Sequence, residues 1–106
     1  MAGKGGRPGP DGLPALRLDR WLFQARFFRS RGLAAAAVGA GHCRINGTRV
    51  VKPGHDVRPG DTLTFVQGDR VRVVRVLDLG LRRGPAAEAR TLYRDAEADA
   101  SSPPLE

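Results

Sequence analysis

The sequence predicts an α+β domain, a two-helix hairpin packed on a small antiparallel β-sheet and followed by a short C-terminal helix. Three observations predict it. Two stretches, beginning at Leu18 and at Ser30, repeat apolar residues at helical spacing. Cys-Arg-Ile and Thr-Arg-Val flank Asn46-Gly47, the strongest short signal for a two-residue hairpin. Two later runs rich in β-branched residues, Thr62–Val66 and Arg70–Leu77, meet at a glycine-containing turn.

Taken in order, helix one carries Leu18, Trp21, Leu22, Ala25 and Phe28 on one stripe, with Asp19 placed to cap its first turn. Its other side mixes Arg20 and Arg26 with Phe23 and Phe27, so another element should cover those aromatics. Ser30 is an N-cap residue for helix two, whose stripe is Leu33, Ala34, Ala37 and Val38 and whose end is set by Gly39 and Gly41. The small alanines at 34–37 allow close approach, so the helices should form a tight hairpin with a basic turn at Arg29 and Ser30. After the Asn-Gly hairpin, Val51–Asp61 contains Pro-Gly twice and reads as a surface loop. Along Arg70–Leu77 the valines change phase, which predicts a bulge near Val73. Gly84 and Pro85 open the last helix, which should run through Tyr93.

Composition sets the boundaries. Residues 1–15 and 96–106 are rich in Gly, Pro, Ala and, at the C-terminal end, acidic residues, and are expected to be flexible tails around a domain at 16–95. One domain of that size leaves little room for a catalytic apparatus. Cys43 is the lone cysteine, so no internal disulfide is possible. No apolar run reaches about 18 residues, and Lys4 and Arg7 lead into Gly and Pro instead of a secretory apolar stretch. A cytoplasmic monomer with no membrane contact is expected.

Charge is unevenly placed. The chain carries +7, with 18 Lys and Arg against 11 Asp and Glu, yet residues 17–58 alone hold nine cations and two carboxylates. Residues 84–106 hold two cations and five carboxylates. An anionic partner should therefore dock on the helices and first hairpin. Arginine dominates the set, and its planar fork can hold two phosphate oxygens or stack on a base, chemistry that suits RNA.

Other chemistries fit poorly. His42, His55 and Cys43 lack zinc-ligand spacing, Val-Gly-Ala-Gly around Gly39 lacks a dinucleotide fingerprint, and the initial Gly-Lys-Gly-Gly lacks a full phosphate loop. Neither metal nor cofactor is expected. Cys43 lies at a strand entry and is better explained as a small buried hydrophobe than as a nucleophile. Trp21 and Phe28 belong to the core stripe; Phe23 and Phe27, among arginines, are assigned to packing ahead of base stacking.

The residues Arg17-Leu18-Asp19 opening helix one, Ser30-Arg31 opening helix two, Ala34 within it and Ile45-Asn46-Gly47 at the hairpin resemble the RNA-binding module named after ribosomal protein S-four. Within that family, WLFQARFFRSR and RRGPAAEARTLYRD are most similar to the bacterial ribosome-associated heat-shock protein of the fifteen-kilodalton class, a likeness that runs to about Asp95. The resemblance implies binding of structured ribosomal RNA through the helix-helix turn and the hairpin. It also implies a role on large ribosomal subunits that carry a stalled nascent chain on transfer RNA, aiding their recycling. Many members of the class add a basic C-terminal extension, whereas this sequence closes on acidic and proline residues.

The expected RNA-binding residues are Arg17, Arg26, Arg29, Ser30 and Arg31, holding phosphates, and Arg44, Asn46, Arg49 and Lys52, gripping the neighbouring strand in one basic groove. No catalytic residue is assigned. Three rivals remain defined. The same module leads several RNA-modifying enzymes, pseudouridine synthases among them, but no segment here supplies a catalytic domain. A protein-interaction adaptor would use Phe23, Phe27 and the valine-rich strands as its docking patch, leaving the arginines for solubility. A generic RNA- or DNA-binding module would lack ribosome specificity.

Overall fold

The computed structural model describes residues 7–8, 14–80 and 82–96; most of the two expected tails lies outside them. The chain forms an α+β fold. A short strand β1 (Arg7–Pro8) pairs with β2 (Pro14–Arg17), which passes directly into α1 (Leu18–Gln24). Then come α2 (Arg31–Gly39), β3 (Cys43–Ile45), β4 (Thr48–Val50), β5 (Asp56–Val57), β6 (Thr62–Gln67) and β7 (Arg70–Val76). A four-residue α3 (Ala86–Ala89) and a 3-10 turn (Arg90–Leu92) lead to β8 (Tyr93–Asp95). All pairings are antiparallel: one sheet has the order β1-β2-β5, the other β4-β3-β6-β7-β8.

One face of the five-stranded sheet is the floor of the core. Cys43, Ile45, Leu63, Phe65, Val74 and Val76 point inward and meet Leu18, Trp21, Leu22, Ala34 and Val38 from the helices. Phe27 lies between, edge-on to Phe65 at 4.8 Å between centroids and 4.6 Å from Tyr93. The predicted packing role of Phe27 is thus realised more fully than that of Phe28, which is only partly buried against this cluster.

Helix one differs from its predicted form at both ends. Asp19 does not cap it. The helix follows β2 without a break, and the backbone amides of Leu18 and Asp19 donate to the carbonyls of His55 (2.8 Å) and Pro53 (3.1 Å), so the loop does the capping. At the other end the helix stops at Gln24 instead of continuing to Phe28. Phe27 N–H donates to Leu22 O, and Arg26 N–H to Phe23 O, both at 3.0 Å, with Arg26 at φ 66°. That is a Schellman ending with arginine in the left-handed position, and it turns Phe27 back onto Leu22 and the core.

Helix two ends the same way with glycine: His42 N–H donates to Ala37 O, Gly41 N–H to Val38 O, and Gly41 has φ 84°. Ser30 caps its start as predicted, its hydroxyl oxygen accepting from Leu33 N–H at 3.1 Å. Its buried stripe is narrower than predicted. Ala34 and Val38 are buried, but Leu33 is 54% exposed, because the short, alanine-rich helix packs on one narrow edge.

The Asn46-Gly47 hairpin is present, with φ 52° and 87° at the two turn residues, the signature of a type I′ turn. The expected loop at 51–61 contains strand β5, which pairs with β2 and so pins the start of α1. No bulge interrupts β7: its register with β6 runs continuously from Thr62↔Arg75 to Gln67↔Arg70. The phase change in the sequence arises because Arg72 occupies an inward position, its guanidinium 5.3 Å above the Phe27 ring. The final helix is shorter than predicted. Pro85 is its N-cap, and Tyr93 belongs to β8, opposite Val76.

Candidate nucleic-acid interface

The strand-to-helix passage at Arg17-Leu18-Asp19 and the N-terminus of α2 build the first part of the site. Asp19 is 4% exposed, and both of its oxygens accept from the Arg17 fork at 3.1 Å. Arg31 Nη2 stands 4.0 Å from the same carboxylate. Hydrogen bonding to Asp19, and then its charge, raise Arg17 above the ordinary arginine range. Arg17 also lies over the loop: a Cβ on Gly54 would be 3.5 Å from its Cζ. Arg29, Ser30, Arg31 and Lys52 are exposed around this group. The first turn of α2 carries no acidic residue, so its amides and dipole favour an anion there.

The hairpin supplies the second part, on the other face of the sheet. Cys43 and Ile45 point into the core, so Arg44 between them points outward, directly opposite Arg49. Arg49 also reaches back along the edge, where a Cβ on Gly41 would meet its side chain at 3.6 Å. The single groove expected from the sequence is therefore two surfaces: the helix-turn cluster, and the outward hairpin arginines beyond the edge formed by β4 and the loop after it.

Besides Arg17, Ser30 and Arg31, two more of the expected residues have partners within the fold. Arg26 donates from Nε to Gly84 O at 2.6 Å, tying the end of α1 to the C-terminal loop. Asn46 donates to Asp61 Oδ1 at 3.1 Å and accepts from Thr62 N–H at 2.9 Å, which braces the hairpin turn against β6. The segment before α3 clasps α1 elsewhere too. Trp21 donates to Asp78 O, buried Gln24 to Leu79 O, and Arg83 both donates to Phe23 O and sits 4.8 Å over the Phe23 ring. With Phe27 buried and Phe23 under Arg83, the two aromatics of the adaptor reading are taken up within the fold, whereas Val71 of the valine-rich strands stays 59% exposed.

The remaining chemistry is weak. Burial pushes the Cys43 thiol up to about 12, so it stays protonated and poorly nucleophilic near neutrality. Among the described residues no group of three or more His, Cys, Asp and Glu is placed to hold a metal ion. No helix among them is long and apolar enough to cross a membrane. An open groove of about 520 Å³ lies between the hairpin turn and the following loop, but Asp56 and Asp61 share its lining with His55 and Arg58, so it is not a plain anion site.

This arrangement is that of known proteins. The S4 domain matches residues 16–63, from β2 through the start of β6. The fold superposes on the trimeric structure of Vibrio cholerae heat shock protein 15 with a TM-score of 0.72 and 37% identity, covering 76% of this chain and 81% of that one. The chain belongs to the heat shock protein 15 family. Within the family it is 41% identical over 83 residues to the heat shock protein 15 homolog of Aeromonas salmonicida, covering 78% of this chain and 62% of that protein. It is also 41% identical over 80 residues to heat shock protein 15 of Escherichia coli K12, covering 76% of this chain and 59% of that protein. The chain thus spans about three fifths of the length of these curated relatives. In heat shock protein 15 terms, the helix-turn cluster and the hairpin lie inside the S4 match, while β7 and β8 lie beyond it.

Proposed function

We propose that this chain is a non-enzymatic, cytoplasmic RNA-binding protein of the ribosome. It recognises structured ribosomal RNA on large subunits that carry a stalled nascent chain on transfer RNA, and aids their recycling. The observation that carries this reading is the placement, within an S4 domain of the heat shock protein 15 family, of exposed Arg29, Ser30 and Arg31 at the N-terminus of α2. Exposed arginine forks beside the start of a helix suit a phosphate.

In this mechanism Arg29, Arg31, Lys52 and the outer edge of Arg17 hold phosphates of one RNA segment, and Arg44 and Arg49 hold a neighbouring one. Arg26 and Asn46 act indirectly by fixing the turn and the hairpin. Shape selects the site, because the two groups are held at a fixed separation by the core between them. If about five phosphates are neutralised, log affinity falls with log salt at a slope of about −3.5 to −4.5.

Co-sedimentation tests the reading. Purified chain is mixed with small subunits, large subunits and nascent-chain-loaded large subunits across a salt series, beside Arg29→Glu/Arg31→Glu. Salt-sensitive pelleting with loaded large subunits, lost in the variant, is the expected result. Equal pelleting with all three particles would reduce the function to generic RNA binding, and pelleting that survives the charge reversal would remove the turn from the site.

A further inference from the structure

The outer face of the five-stranded sheet carries a pattern that the helix-turn site does not use. Its outward positions include Arg49 on β4, Arg44 on β3, Thr62 and Thr64 on β6, Arg75 on β7 and Arg94 on β8. Arg44 faces Arg49 directly across β3 and β4, and Arg75 faces Arg94 directly across β7 and β8. Neighbouring strands are about 4.8 Å apart, and like charges placed directly opposite each other oppose folding. One such pair is unremarkable on an arginine-rich chain. Here two share one face, and no Asp or Glu occupies an outward position on any of the five strands.

The pairs are linked. Thr64 stands beside Arg44 and Thr62 beside Arg75, so hydroxyl donors bridge the central strand between two arginine pairs. The resulting stripe crosses all five strands, roughly 19 Å from β4 to β8 at the usual strand spacing. Arg44, Arg49, Arg75 and Arg94 are all exposed, and the helices cover only the opposite face. A polyanion laid on this face offsets the Arg44–Arg49 repulsion and gives Arg75 a counter-charge, and arginine forks suit phosphate oxygens in particular.

We propose that the outer sheet face is a second phosphate-binding surface, over which the RNA contact continues from the hairpin to Arg75 and Arg94, outside the S4 match. The proposal rests on the RNA-binding reading above. Its occupant is an RNA backbone; an acidic protein segment is the competing outcome of the test. Because Arg94 already has a partner within the chain, Arg75 is the more diagnostic residue.

The experiment is a salt series of binding between the full chain and in vitro transcribed large-subunit ribosomal RNA. It compares Arg44→Gln/Arg75→Gln and Arg75→Gln with Arg29→Glu/Arg31→Glu and with the off-face control Arg82→Gln. Thermal melting confirms that each variant folds, and Arg75→Thr replaces any that does not. The double glutamine variant is expected to bind about fivefold more weakly, as two exposed charge contacts allow. It should also flatten the salt slope by about 1.4–1.8, with Arg82→Gln unchanged. Arg75→Gln alone should flatten the slope by about 0.7–0.9. If it keeps both affinity and slope while Arg29→Glu/Arg31→Glu loses binding, the continuation to Arg75 and Arg94 is refuted and the RNA-binding reading survives. If neither arm loses binding, both readings fall. An equal loss in Arg82→Gln reduces the effect to net charge and overturns the proposal, as does unchanged RNA binding with loss of an acidic protein partner.

Discussion

On the helical side of the molecule the arginines stand beside a carboxylate; on the outer face of the sheet they stand beside one another. Arg17 and Arg31 share Asp19, so part of their charge is used within the fold, holding the entry of α1 against the start of α2. Arg44 and Arg49, and Arg75 and Arg94, face each other with no acidic residue at any outward strand position, although Arg94 has a partner of its own within the chain. A count of charges by segment gives the greater excess to residues 17–58 and only a small one to 59–83. The comparison teaches that a count measures formal charge, whereas the fold decides how much of it a ligand can use.

Four substitutions break or sharpen this contrast, the largest in effect first. Trp21 is wholly buried and its indole N–H donates to Asp78 O at 2.9 Å, so Trp21→Ala should remove about 3–5 kcal/mol of stability, read by denaturant unfolding. Both surfaces would be lost together, since the same core separates them. Asn46→Ala forces a Cβ-bearing residue without a local hydrogen-bonding side chain into the left-handed conformation, and should cost about 1–2 kcal/mol. The RNA affinity of the fraction that remains folded should change little; a large loss of affinity at unchanged stability would restore Asn46 as an RNA contact.

Asp19→Asn acts on the helical side alone. Removing the charge that Arg17 and Arg31 share should lower the melting temperature while tightening RNA binding and steepening its salt dependence. Weaker binding would mean that the Asp19 carboxylate is needed to aim the two guanidinium groups. Arg44→Thr acts on the sheet side alone and has the smallest effect on folding. It relieves one repulsive pair and should raise stability by roughly 0.2–1 kcal/mol while weakening RNA binding. A loss of stability would show that the paired arginines hold the hairpin together.

The two helix ends show where the sequence was readable and where it was not. Both helices close with the same pair of backbone bonds, and both need a residue in the left-handed region. At the end of α2 that residue is Gly41, which announces itself because glycine adopts the conformation without steric cost. At the end of α1 it is Arg26, and nothing local signals it. Arginine is held there by its bond to Gly84 O, 58 residues further on, and by the burial of Phe27 that the turn permits. The same reasoning explains the apparent phase change in β7. Arg72 reads as a surface residue, yet it lies inward because the Phe27 ring and Gln67 give its guanidinium partners.

What the sequence determined by itself is what local rules control: the α+β class, the Ser30 cap, the Asn-Gly hairpin, the helical stripe around Trp21 and the concentration of arginine in residues 17–58. Each depends on residues within a few positions of one another, where steric preference and periodicity act alone. Tertiary structure decided the rest. It placed Arg44 and Arg49 on the face away from the helices, set Arg75 against Arg94, bonded Arg26 to Gly84 and Asn46 to Asp61, and put Asp19 between two arginines. These outcomes turn on strand register and on partners up to 58 residues away, and a shift of one residue in register exchanges the two faces of a strand.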